Sequence, residues 1–540
     1  MVKSLLVESL RLPTGETVVL DGSNLTIGQL WAISQRSVRV ELAPAAREKM
    51  KVSRKYIVDR IAKGDVIYGV NTGFGPLCTV RISDSEIDQM QLNFVRSHSS
   101  GVGEAFAIQE SRAMLALRAN ALATGHSGIR PEVVDFILNC LNQNLVPVIP
   151  QQGSVGASGD LAPLAHMALA FIGEGEMWAE SSQASESSQV FRGQWYQAQS
   201  AKIVLDKAGL APLKLQMKEA LSLTNGCQVM TGVGALNAYR SAQLLKQFDI
   251  AGAMSLEALQ GGRGPFDPLV PATRRHRGEA LTARNLLKIL GGTSEISRSH
   301  EGCGRVQDVY SLRCMPAVQG ASKETLRRTI ETLEIEANSS TDNPLVFPEE
   351  NKILSCGNFH GEPVAFVLDF LAVAMAEAAN ISSCRIEKLT NTSMSGLPPF
   401  LAKNPGLQSC LMIVQYASAA LVSENKVLCH PASADSIPTS ANKEDHVSMG
   451  TIAARKLTTI LNNVEQVLAM EYLTAAQGLD HVLPLKPAAG VAIAFDCIRK
   501  KVPFAAEDRI FANDIKILAS MVKEGVILAA VENAVGALEV

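Results

Sequence analysis

The chain has 540 residues, more than one ordinary hydrophobic core organises, which predicts two or more closely packed domains. Its 50 basic and 53 acidic side chains leave a formal charge of −3, which removes any electrostatic case for binding nucleic acid or an anionic membrane. Charged residues make up only 19 % and hydrophobic ones 47 %, a balance that predicts surface buried between subunits.

The first residues, MVKSLLVESLRLPTGETV, lack an apolar signal core with a small-residue cleavage site. ETVVL near residue 18 and VIYGV at 66–70 are the two strand-like patterns. YGVNTGFGP (68–76) then reads as a glycine-rich loop. ESRAMLALRANALA (110–123) and VVDFILNCLNQNL (133–145) carry apolar residues at helical spacing. GSVGASGDLAPLAH (153–166) passes from glycines into a helical run, and ESSQASESSQ (180–189) reads as a solvated surface loop without function.

Further on, GGRGPFDPLVP (261–271), SCGNFHGEP (355–363) and SGLPPFLAKNPG (395–406) are irregular. Residues 366–389, 410–428 and 446–479 are long Ala/Leu-rich helices, some apolar on several sides, as in the middle of a bundle. No run reaches the roughly 18 uncharged apolar residues of a membrane span. The predicted fold is all-α or nearly so: a long antiparallel helical bundle over 226–540, with a smaller mixed N-terminal domain over 1–225.

Ten cysteines are scattered without a C-x-x-C pair, which reads as reduced thiols in the cytoplasm, with neither disulfides nor zinc. His126, His166, His276, His300, His360, His430, His446 and His481 show no H-x-x-x-H spacing, so no metal site is expected.

Three glycines at three-residue spacing, Gly153, Gly156 and Gly159, match no phosphate-binding pattern. A P-loop needs a lysine that is absent, and a dinucleotide fingerprint needs G-x-G-x-x-G after a strand. The hydrolase elbow G-x-S-x-G is one residue longer than Gly156-Ala157-Ser158-Gly159. A turn capped by Asp160, with Pro163 in the first helical turn, explains those two residues but not Ala157-Ser158-Gly159. Gly159 carries no side chain, so its nitrogen can approach the Ala157 carbonyl and close a ring. Loss of the Ser158 hydroxyl as water then leaves an electrophilic methylene, made without an external cofactor.

On these residues the chain resembles the aromatic amino acid ammonia-lyases and aminomutases, which carry a self-made methylidene-imidazolone. The likeness extends in order through YGVNTGFG, RSHSSGVG (96–103), KEALSLTNGCQ (218–228), VQDVYSLRC (306–314), TDNPLVF (341–347), GNFHGEP (357–363), SENKVLCHPAS (423–433) and EDHVSMG (444–450). Together these cover most of residues 60–480. RSHSSG paired with EDHVSMG makes the chain most similar to the histidine-specific members, which release ammonia and form urocanate.

The resemblance implies that Ala157, Ser158 and Gly159 form the electrophile and that Tyr68, in a lid loop over 60–80, is the base. An ordinary phenol titrates near about 10, so Tyr68 needs positive surroundings, which converging helix N-termini can supply. Arg313 suits bidentate capture of the substrate carboxylate, and Tyr310, three residues before it, shapes the electrophile's pocket or relays protons. Asn225 and Gln307 are amides able to hydrogen-bond the electrophile's oxygen or that carboxylate. Phe359 packs against the electrophile or the substrate, while His98 and Glu444 contact the substrate ring. A carboxylate pairs with an imidazole and is a costly neighbour for a bare phenyl ring.

Lys443 precedes Glu444 where glutamine is common, adding a cation near the ring pocket. Val309, Cys227 and Cys356 also depart from the family pattern, and the thiols bear on oxidation sensitivity. Tyrosine as substrate, in a lyase or an aminomutase, remains an alternative, since His98 can bond a phenol. A catalytically silent homologue would predict loss of Ser158, Tyr68 or Arg313, and all three are present. The resemblance further implies a homotetramer with active sites shared between subunits.

Overall fold

The computed structural model describes residues 8–185 and 187–540, so the expectations for the first seven residues and for Glu186 lie outside the described residues. The chain divides into two compact units, each discontinuous in sequence. One comprises the described residues up to Tyr239 with Thr329–Asp369 and Pro431–Arg455. The other comprises Arg240–Arg328, Phe370–His430 and Lys456–Val540. The expected division at 225/226 is one cut in sequence, whereas each of these units is assembled from separate segments. Helix length is the reason: Gln228–Ala258, Met315–Ala337, Glu362–Thr390 and Gly450–Val482 each contribute residues to both units. Helices of this length run about 35–50 Å at 1.5 Å per residue, longer than a small domain is wide.

The architecture is mainly helical, as the apolar periodicity predicts. Helices Ile108–Ala123, Pro131–Gln143 and Met412–Leu428 fall within a few residues of their expected spans. Ile108–Ala123 is buried on nearly every face, including Arg112 and Arg118. The Arg112 guanidinium donates to the Ile33 and Leu141 carbonyls and to Asn144 Oδ1. Those acceptors solvate a cation whose burial still pushes its pKa down to about 9.

Thr17–Leu20 is the strand expected from ETVVL and pairs in parallel with Arg39–Leu42, turning Val18 and Leu20 inward. VIYGV is a turn instead. Asn71 Oδ1 accepts the Ile67 N–H at 2.8 Å and Asn71 Nδ2 donates to the Asp65 carbonyl at 2.8 Å, so local side-chain bonds replace a ladder.

The alternation reading also overlooks a four-stranded sheet, ordered Val146–Pro147, Glu176–Ser181, Gln194–Ser200, Gln189–Phe191. Arg192 and Gly193 both have positive φ, 52° and 77°, which suits a two-residue hairpin turn. Trp178, Phe191 and Tyr196 pack with Ile108 and Val146 beneath it. The predicted polar loop 180–189 is accordingly shorter, because Glu180, Ser181 and Gln189 belong to strands.

In the second unit, the Arg385 guanidinium donates to both oxygens of Glu471, at 2.5 and 2.8 Å, with Ser255 and Ser382 also donating to that carboxylate. Neither charged side chain is exposed, and removing one partner of such a pair costs roughly 3–5 kcal/mol. Glu362–Thr390 is the one described helix long and apolar enough to cross a membrane, and 67 % of its most apolar window is buried within the protein.

Candidate active site

The glycine-rich loop is held by contacts that leave no room for larger residues. Gly159 has φ +71°, and a Cβ there would overlap the Gly226 carbonyl. Gly156 has φ +74°, and a Cβ there would overlap Ser448 Oγ. Gly226 N donates to the Ser158 carbonyl at 3.2 Å, and Asp160 N donates back to the Gly226 carbonyl at 2.8 Å. Met449 N donates to the Val155 carbonyl at 2.9 Å, so EDHVSMG clasps the other side of the loop.

Asp160 does not cap its own helix, Leu161–Phe171, through its side chain. Its carboxylate accepts Val229 N and Met230 N at 2.9 and 3.0 Å, in the first turn of Gln228–Ala258. It also accepts from Ser154 Oγ at 3.2 Å and from Thr451 Oγ1, at the start of Gly450–Val482. Burial raises the Asp160 pKa, opposed by these donated hydrogen bonds. One buried carboxylate thus joins the glycine-rich loop to the N-termini of two long helices, where negative charge is favoured.

Ser158, Tyr68, His98 and Glu444 line one cavity of about 420 Å³. Ser158 Oγ donates to Glu444 Oε1 at 3.3 Å, and Thr439 Oγ1 donates to Glu444 Oε2 at 3.1 Å. Glu444 sits on a tight reversal in which Thr439 and Glu444 bridge each other. Ser440, Ala441 and Asn442 take φ of 52°, 52° and 64° there, a left-handed run that costs non-glycine residues about 1–3 kcal/mol each. Lys443, beside Glu444 in sequence, is exposed and does not line the cavity.

His98 ends the helix Ile87–His98, whose Ile87, Gln91, Phe94 and Val95 are buried. Its Nδ1 lies 2.9 Å from the Phe94 carbonyl, which assigns the ring proton to Nδ1 and leaves Nε2 as an acceptor. The ring stacks on Phe94 at 3.8 Å between centroids. Burial pushes the His98 pKa down, keeping the ring neutral near pH 7.

The Tyr68 hydroxyl accepts the Gly75 N–H at 3.2 Å. Burial raises the phenol pKa, the Gly75 N–H opposes the rise, and Glu444 and Cys78 add to it. The amide of Asn225 satisfies its neighbours when its oxygen accepts Asn343 N at 2.9 Å and its nitrogen donates to the Ser158 carbonyl at 3.1 Å. With Gly226 N, that places two donors on the Ser158 carbonyl oxygen.

Gln307, Tyr310 and Arg313 do not line this cavity; they belong to the other unit. Arg313 donates to Gln307 Oε1 at 3.2 Å and lies over the Tyr310 ring, 4.6 Å from its centroid, while Tyr310 is 71 % exposed. Phe359 does not line the cavity either; its carbonyl accepts the Cys227 thiol at 3.0 Å. Burial raises the Cys227 pKa, which disfavours its thiolate. The sequence reading missed Asp160 as a tie between helices, Phe94 as the platform for His98, and Ser440 in the cavity wall.

A family profile described as aromatic amino acid lyase matches residues 25–500. The chain is 51 % identical over 529 residues to the histidine ammonia-lyase of Sorangium cellulosum (strain So ce56), covering 96 % of this chain and 100 % of that one. Its fold is similar to the crystal structure of histidine ammonia-lyase from Trypanosoma cruzi, with TM-score 0.87, 40 % identity, and 96 % and 95 % of the two chains covered. It is likewise similar to tyrosine aminomutase from Streptomyces globisporus, with TM-score 0.89, 34 % identity, and 96 % and 98 % covered. With the ordered motifs and the helical fold, these matches establish that the chain belongs to the aromatic amino acid lyase family.

Proposed function

We propose that this chain is a histidine ammonia-lyase, eliminating ammonia non-oxidatively from L-histidine to give trans-urocanate, the first step of histidine degradation. The observation that carries the reading is a single cavity in which Glu444 and the neutral His98 share the walls with Ser158 and Tyr68. An anionic acceptor and an imidazole acceptor suit a substrate ring that bears N–H groups. A phenol offers one hydroxyl, and the tyrosine alternative leaves the carboxylate with less to bind. The identities support the same preference, 51 % to a histidine ammonia-lyase against 34 % to a tyrosine aminomutase.

A methylidene-imidazolone derived from Ala157, Ser158 and Gly159 fits the residues present. Gly159 has the left-handed φ and the close approach to Gly226 that exclude any side chain. The Ser158 carbonyl oxygen has two amide donors, Gly226 N and Asn225, ready to polarise it. When present, the group supplies an electrophilic methylene that converts the substrate amine into a better leaving group.

The remaining work falls to ordinary side chains. Tyr68 is the base for the β-proton; burial raises its pKa, and it acts only once deprotonated. Glu444 accepts from the substrate imidazole, and His98, fixed by the Phe94 carbonyl, orients that ring. The family resemblance assigns Gln307, Tyr310 and Arg313 to substrate-carboxylate capture and pocket shaping in a homotetramer with shared sites. Phe359, which does not line the Ser158 cavity in its own chain, is assigned by the same resemblance to packing against the electrophile or the substrate. The chain is assigned to the cytoplasm, a compartment that keeps its ten free cysteines reduced.

Purified protein offered histidine, then tyrosine, with near-ultraviolet absorbance followed, tests the choice. Urocanate formation is expected, and turnover of tyrosine alone overturns it.

A further inference from the structure

His360 and His446 stand far apart in sequence, yet His446 Nδ1 lies 3.3 Å from His360 Nε2. Their rings stack with centroids 5.4 Å apart and planes 28° apart. Glu362, the first residue of the helix Glu362–Thr390, joins them, and one ligand atom from each of the three lies within 4.8 Å of the others. Among the described residues this is the only such group of three or more histidine, cysteine or acidic side chains. Glu362 Oε2 is shielded from solvent and has no hydrogen-bond partner, an unpaired state that is costly for a carboxylate oxygen.

We propose that His360, Glu362 and His446 form a binding site for one divalent transition-metal ion of the zinc type, with the fourth position taken by water. Two imidazole nitrogens and one carboxylate are a ligand set zinc accepts, and metal–nitrogen bonds of 2.0–2.1 Å put tetrahedral ligands about 3.3–3.4 Å apart. The His446–His360 separation already matches that edge. A metal on His360 Nε2 moves the ring proton to Nδ1 and gives up the long 3.4 Å bond from Glu362 N. That N–H begins a helix and needs no intrahelical partner. The Asp369 carboxylate, which acts electrostatically on Glu362, adds further negative charge for a cation.

The position gives the ion a role. It would tie GNFHGEP to EDHVSMG, the segment that presents Glu444 two residues before His446. Two residues after His446, Ser448 Oγ donates to the Gly156 carbonyl at 3.4 Å. An occupied site therefore stiffens both the ring-binding carboxylate and the clasp on the electrophile loop. The inference does not depend on the proposed reaction, because binding is measured without turnover.

The test uses the full-length protein, stripped with a chelator and titrated with Co2+. One equivalent per chain is expected, with the d–d absorption of nitrogen and oxygen ligands and no thiolate charge-transfer band, displaceable by Zn2+. His446→Ala, at an exposed position, and Glu362→Gln should each weaken binding at least about tenfold, the least that losing even an outer-sphere partner costs. Circular dichroism of both variants checks that helix content is retained. No saturable binding, a thiolate band from the ten cysteines, or unchanged affinity in two folded variants overturns the proposal.

Discussion

Ser158 Oγ donates to Glu444 Oε1 across 3.3 Å, joining residues 286 positions apart. The loop that carries Ser158 is clasped by the segment just after Glu444, through Met449 N to the Val155 carbonyl. The carboxylate assigned to the substrate ring and the residue assigned to the electrophile are therefore positioned by one another's backbone.

Maturation is the first consequence open to measurement. The folded chain should weigh two waters less than its sequence. Gly159→Ala places a methyl group against the Gly226 carbonyl at a left-handed φ, so this variant should keep the unmodified mass and lose turnover. Intact-mass spectrometry reads both, and an unmodified wild-type mass in fresh, folded protein removes the mechanism.

Glu444→Gln preserves shape and deletes charge. A hydrogen bond to a charged group contributes about 1.5–3 kcal/mol, so kcat/KM for histidine should fall roughly 10–150-fold. The same change alters the pH profile. Glu444 raises the Tyr68 pKa, and a base acts only when deprotonated, so deleting its charge should move the alkaline rise in kcat to lower pH. A rise that stays in place would show that Tyr68 is not the titrating base.

Shared sites can be tested by complementation. Tyr68→Phe should cost about 10²–10⁴ in kcat, the usual worth of a general base. Arg313→Ala should mainly impair capture of the substrate carboxylate. Each variant alone is expected to be nearly inactive, while co-expression should restore activity in mixed oligomers that contain an intact combination. Failure of the mixture, with mixed assembly shown by mass, would confine each site to one chain.

Tyr68, His98, Ser158 and Glu444, which line one cavity, were legible because they fall in Gly/Pro loops and motifs read along the chain. Ala157-Ser158-Gly159 stood out by failing every other glycine-loop pattern, and Asp160 followed as a polar residue beside it. The role of Asp160 was misread, however, because local sequence offers it only its own helix to cap. Its actual donors, Val229, Met230 and Thr451, come from distant segments. VIYGV failed as a strand for a similar reason: composition favoured a ladder, but Asn71 bonded the backbone first. The sheet over 176–200 was overlooked because its alternation is interrupted by polar residues facing solvent.

The sequence alone determined the family and the mainly helical fold, and it singled out the glycine-rich loop around Ser158. These rest on local order: motifs read along the chain, apolar residues at helical period, and glycines where no side chain fits. The tertiary structure decided what faces what. It buried Tyr68 near Glu444, gathered Ser158, His98 and Glu444 around one cavity, and brought His360 beside His446. Burial and Coulomb interactions depend on distance in space, and neither can be read from spacing along a chain that folds back on itself over hundreds of residues.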